Sequence, residues 1–221
     1  MSADAYLALY FDAPLQSWGY ASKFDRRTSL AYPTRSGVIG LLCAALGVER
    51  EDSEGLLRLE QSLQVTVYAL RSGTRLTDYH TVGGGYDPKQ ESRNICRKAS
   101  GGVGDTVQTW REYLVDARFG VVVSGPHELL NELAEALRDP VWGVWLGRKA
   151  CVPAARVFEG LHETEADALA CLRQVSGCDA AAGMRRVSEI EAFADGNDSI
   201  MDRPIDFAKR KFASRRILVE G

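Results

Sequence analysis

No Cys-x-x-Cys pair, no His-x-x-x-His, no paired-aspartate motif and no G-x-x-x-x-G-K-[ST] loop occurs in these 221 residues. Their absence excludes a zinc ribbon, a helix-borne metalloprotease site and a Walker-type phosphate cradle, so no metal and no cofactor is expected. The five cysteines are odd in number and scattered, which argues against a disulfide framework and for a reducing cytoplasm. The start MSADAYLALYF lacks a basic n-region. The apolar run from Gly37 to Val48 falls short of the roughly 20 residues that cross a bilayer, so neither a signal peptide nor a membrane anchor is expected.

What the chain does have is ordinary globular composition, 45% hydrophobic and 26% charged, and enough length to bury a core without staples. A net charge of −3 excludes a protein that coats nucleic acid over its whole surface, but the charge is unevenly spread. Lys23, Arg26, Arg27 and Arg35 face only Asp25 across one segment, and Arg203, Lys209, Arg210, Lys211, Arg215 and Arg216 face only Asp206 across another. Basic segments distant in sequence can converge on one face and follow a phosphate chain; solvated surface is the bland alternative.

Periodicity predicts strands at 5–11, 63–70, 117–123 and 141–146, a helix over 34–47 and another over 127–139, in the order strand, helix, strand, strand, helix, strand. Thr34 is placed to cap the first helix and Gly47 to stop it. That order is the α+β ferredoxin-like, RRM-like βαββαβ arrangement, whose open sheet face serves RNA-recognition domains as a platform. Residues 1–146 are read as this domain and 147–221 as a small C-terminal lobe with a helix near 163–174 and strands at 186–192 and 215–219. Between the second and third strands, residues 72–117 have no sustained period and include Gly83, Gly84, Gly85, Gly101, Gly102 and Gly104, so they are read as a long inserted hairpin or arm. Its cations Arg93, Arg97 and Lys98 lie among glycines and polar residues.

Pro33-Thr34-Arg35-Ser36-Gly37 opens the first helix, where free backbone N–H groups favour a phosphate and Arg35 and Ser36 can add donors. Standing alone, the segment also reads as a plain helix cap with an exposed arginine. LQSWG (15–19), YPTRSGVIGLL (32–42), LTDYHTV (76–82), QTWREYLVDARF (108–119), WLGRKACVPAARVF (145–158) and RPIDFAKRKFASRRI (203–217), in that order, resemble the successive motifs of the CasD-type RAMP family of type I-E CRISPR Cascade complexes.

The resemblance implies a non-catalytic clamp on the 5′ handle of CRISPR RNA, with the arm as a thumb reaching toward the neighbouring subunit. Implied partners are the backbone and large subunits and, through the complex, target DNA. An unpaired RNA end needs cations for phosphates, flat groups for stacking and polar groups for base edges. Arg26, Arg27, Arg35, Arg148 and Lys149 are the candidate cations, Trp18, Tyr79 and Trp145 the stacking groups, and Ser36 and Gln108 the polar contacts. Trp110 and Trp142 are assigned to the core, and His127 and His162 to the surface at helix starts. Tyr79-His80 carries the alternative, a metal-independent endoribonuclease acting on CRISPR repeat RNA, since a related type I-C branch cuts precursor RNA with such groups; otherwise His80 is read as a base-contacting or structural residue.

Overall fold

A computed structural model describes residues 4–22, 24–83, 104, 106–178 and 184–221. Arg93, Arg97 and Lys98 of the arm, together with Lys23 and Cys96, lie outside the described residues.

Strand β1 (Asp4–Asp12) alternates cleanly: Leu7, Leu9 and Phe11 point to one side of the sheet, Ala8 and Tyr10 to the other. Two-residue strands follow at Leu15–Gln16 (β2), Trp18–Gly19 (β3), Arg26–Arg27 (β4) and Ser29–Leu30 (β5). Helix α1 (Arg35–Leu46) has both expected ends. The Thr34 side chain accepts the Gly37 N–H, and Gly47 turns left-handed with a φ of 77°. Helix α2 (Ser53–Ser62), capped by Asp52, buries Leu56 and Leu59 on a short amphipathic face that the charged stretch from 49 to 60 hides from a composition reading.

A seven-stranded antiparallel sheet has the order β10-β1-β9-β6-β11-β13-β12, where β6 is Gln64–Arg71, β9 Arg118–Pro126, β10 Phe158–His162, β11 Arg185–Ile190, β12 Asp198–Asp206 and β13 Lys211–Glu220. Strand β9 lies between β1 and β6, which α1 and α2 connect; β1 lies between β9 and β10, which helix α3 (His127–Arg138) connects. One face packs Leu7, Leu9, Phe11, Val121 and Val123 under α1 and α3. Burying each such side chain contributes about 1.5–3 kcal/mol.

Three expectations fail. Val141–Leu146 is not a strand. Val141 and Trp142 donate their N–H groups to Ala45 and Ala44, the last carbonyls of α1, which an ending helix leaves unpaired, and Leu146 bonds to Cys151. The fourth strand is β10, further along the chain. Residues 147–221 therefore form no separate lobe, because β10 through β13 continue the same sheet. Nor is the second sheet face open. Helix α4 (Glu165–Ser176) covers it over β1 and β9, packing Ala168 and Leu172 on Ala8, Tyr10, Tyr68 and Val122.

Much of the arm is strand. β7 (Thr74–Val82) and β8 (Val107–Val115) form an antiparallel hairpin in register from Thr74 opposite Val115 to Val82 opposite Val107. Strands β2 and β4 pair with the free side of β8. Among the described residues no helix is long and apolar enough to cross a membrane.

Candidate nucleic-acid interface

Strand β7 is exposed along most of its length, whereas β8 buries Thr109 and Tyr113 on one face and Leu114 on the other, and strand alternation sorts the remaining polar and aromatic side chains between the two faces. One face carries a row across three strands, because Arg26 pairs with Trp110 and Trp110 with Tyr79. The Arg26 guanidinium lies 4.6 Å from the Trp110 ring centre, and the Tyr79 ring lies 5.3 Å away on the neighbouring strand at 51°. Tyr79 is 53% exposed, and Gln108 extends the same face next to Thr81. With Arg26 and Tyr79 exposed and Trp110 half-buried between them, a cation–indole–phenol row of this kind offers π-faces for bases and charge for phosphate.

The opposite face carries Arg27 beside Arg111, and His80 beside Thr109. Arg148 joins it. Its guanidinium lies 4.8 Å from the centre of the Tyr113 ring and donates to the carbonyls of Glu112 and Arg27. Lys149 follows, exposed, in a tight turn closed by the Cys151 N–H on the Arg148 carbonyl. Nδ1 of His80 is buried and has no hydrogen-bond partner among the described residues.

Glu112 fixes the loop that brings β4 here. Its carboxylate accepts the Ser29 N–H at 3.1 Å and pairs with Arg75 at 3.1 Å, and its carbonyl accepts the Ser17 hydroxyl at 3.0 Å.

Two expected site residues are structural. Trp18 is buried, stacked on Phe11 at 5.5 Å, with its indole N–H donated to Gln16, so neither ring face is free for a base. Arg35 is 3% exposed and points inward. It donates to Glu189 at 2.7 Å and to the carbonyls of Glu60 and Leu63, and burial lowers its pKa. The helix N-terminus is also taken: Asp202 accepts the Arg35 N–H at 2.7 Å and Thr34 the Gly37 N–H. The phosphate site expected there is thus filled by the protein's own acid. Asp202 in turn holds Arg215, and Glu60 holds Arg203, so these two of that segment's six cations are engaged by the protein's own acids.

Ser36 stays half-buried, its hydroxyl 3.3 Å from that of Thr34. Trp145 is 38% exposed but lies against Gly143, away from the hairpin row. The structure therefore gathers Arg26, Arg27, Tyr79, His80, Gln108, Arg148 and Lys149 around the hairpin and leaves Trp18, Arg35, Ser36 and Trp145 outside it. It adds Trp110 and Arg111. The assignment of Trp110 to the core rested on the usual burial of tryptophan and is corrected, as is that of Trp142, which is 44% exposed. His127 opens α3, exposed as expected, whereas His162 ends β10, half-buried. Among the described residues no cluster of His, Cys, Asp and Glu is arranged to hold a metal ion.

A family model described as CRISPR-associated protein (Cas_Cas5) matches residues 6–218. The CRISPR system Cascade subunit CasD of Escherichia coli (strain K12) is 36% identical over 167 residues, which cover 71% of this chain and 70% of that one. A chain of a solved CRISPR RNA-guided surveillance complex superposes with a TM-score of 0.78 at 32% identity, covering 97% of this chain and 89% of its own. The crystal structure of a Cas protein gives 0.67 at 29% identity, covering 97% and 93%.

Proposed function

The chain belongs to the CRISPR-associated Cas5 family, and we propose that it is the non-catalytic Cascade subunit that holds the 5′ handle of CRISPR RNA in the cytoplasm. The observation that carries this reading is the Arg26–Trp110–Tyr79 row on the hairpin, backed on the other hairpin face by Arg27, Arg111 and Arg148. Unpaired bases stack on the row while the cations follow the phosphates. The four strands β10-β1-β9-β6 with α1 and α3 on one side are read as a ferredoxin-like RAMP body, and the β7–β8 hairpin as its thumb, reaching toward the backbone subunit. The large subunit is the second protein neighbour, and target DNA is met only through the complex.

Against the endoribonuclease alternative stands the alternation of β7. Tyr79 and His80 are adjacent on one strand and so point to opposite faces, where they cannot act together on one phosphodiester. Binding of the handle RNA from the host's own CRISPR repeat, measured by anisotropy at two salt concentrations, tests the proposal. Trp110→Ala is expected to weaken binding roughly five- to hundredfold through lost stacking. Arg26→Ala is expected to weaken it and to lower the salt slope by about one. Unchanged affinity in both variants would refute the reading, and a discrete cut of repeat RNA in EDTA would favour the nuclease.

A further inference from the structure

The β12–β13 hairpin turns over Phe207 to Arg210. Arg210 adopts a left-handed φ of 52° and donates its N–H to the Phe207 carbonyl, while Asp206 accepts the Lys209 N–H and pairs with its ammonium at 3.3 Å. The tip is therefore a built turn, and it leaves Lys209, Arg210 and Lys211 exposed. Just inside it, Phe207 and Phe212 meet edge to face, 6.4 Å apart, and wall one side of a cavity of about 200 Å³. Gly19, Ser36 and Arg148 line the other side, together with the edge of Trp18.

The helix N-terminus beneath is closed by Asp202 and Thr34, so it is not what would hold a ligand here. The features that would are two aromatic walls and small and polar lining residues, with the exposed cations Lys209, Arg210 and Lys211 on the turn that joins Phe207 to Phe212. The volume is below the roughly 300 Å³ at which pockets begin to enclose drug-sized ligands, so it suits a single ring. A flat aromatic ring with a negatively charged chain on either side matches those features together.

We propose that this cavity takes one unstacked nucleobase of the bound RNA, seated against Phe207 and Phe212, with the flanking phosphates on Lys209, Arg210 and Lys211. The inference rests on the RNA-binding reading and extends it to a second contact, on the C-terminal hairpin and separate from the Trp110 row.

The test uses the full-length chain and a series of handle RNAs from the host's own repeat in which each nucleotide in turn lacks its base. For the unmodified protein, one position away from those sensitive to Trp110→Ala is expected to lose roughly tenfold in affinity when its base is removed. Phe212→Ala removes a wall. Gly19→Leu adds bulk at a lining residue of the cavity where an added Cβ meets nothing within 4 Å, so it leaves the packing of the β12–β13 hairpin untouched. In Phe212→Ala, with its melting curve unchanged, sensitivity at that one position should vanish while other positions keep theirs, and Gly19→Leu should weaken the same position and no other. If every abasic RNA binds alike and Trp110→Ala still weakens binding, the cavity proposal fails and the RNA reading stands. If no RNA binds at all, both fail. If Phe212→Ala spares RNA binding but blocks co-purification with the other subunits, the cavity holds a protein side chain and the proposal is overturned.

Discussion

Arg35 stands where Glu60 and Glu189 converge, with the carbonyls of Glu60 and Leu63 completing its donors and Nε alone left without a partner. Taking a guanidinium out of water is costly, and the fork geometry of these bonds offsets that cost. Removing the guanidinium leaves two acids behind, and among the described residues Glu189 then has no salt-bridge partner. Arg35→Ala is therefore expected to lower stability by about 3–5 kcal/mol in a urea transition. An unchanged midpoint with weakened RNA binding would return Arg35 to a phosphate-binding role. Burial also pushes the Cys43 thiol up to about 12 from its ordinary value near 9. The unfolded chain then gives up that proton first, so this contribution is complete below pH 9 and is lost as pH rises toward 12. Cys43→Ala should flatten the fall in stability between pH 9 and 11 by about 1.4 kcal/mol per pH unit. An unaltered slope would show that the thiol does not titrate with unfolding.

At the scale of elements, β1, α1, β6, β9 and α3 were legible because each has an apolar face of the right period, and α1 has both caps as well. The β7–β8 hairpin was legible only as an arm. In TRLTDYHTV neither face is consistently apolar, so the alternation that marks a half-buried strand is missing although its pairing is regular. VWGVWL failed in the opposite way: its apolar content resembles a strand, but its N–H groups serve the end of α1. The hairpin site depends on a contact that no local pattern announces, the Glu112 clamp on the 17–31 loop. Glu112→Ala should release the loop, so that Arg26 is no longer held over Trp110. The Arg75 pair is exposed, so its loss costs at most about 1 kcal/mol. The expected outcome is weakened RNA binding and faster proteolysis between β3 and β5, with a nearly unchanged melting temperature. Protease resistance equal to that of the unmodified chain would show that the loop is held by other bonds.

Over the whole molecule, the chain's two ends are bound together by charge as much as by the sheet. Asp202 on β12 caps α1, which begins more than 160 residues earlier, and it binds Arg215 at 2.6 Å. Arg203 on β12 reaches back to Glu60 on α2 at 2.6 Å. These partners are far apart in sequence, so composition showed only that 203–216 is basic, not that Arg203 and Arg215 are held by acids of the same chain. The same closure decides where the chain can be divided. A fragment ending at residue 146 keeps β1, α1, β6, β9 and α3, the elements whose patterns make it look like a domain. It lacks β10, which pairs with β1 along one sheet edge, and β11, which pairs with β6 along the other. It also lacks α4, whose Ala168 and Leu172 cover Ala8 and Tyr10, and it loses Glu189 and Asp202, leaving Arg35 with Glu60 as its one remaining acid and the first turn of α1 without Asp202. Exposed strand edges of this kind invite association between chains. The fragment 1–146 is therefore expected to aggregate or to show no cooperative unfolding transition, whereas the full-length chain unfolds in one. Size-exclusion chromatography beside thermal melting makes the comparison, and a monomeric fragment with a sharp transition would reinstate the division at residue 146.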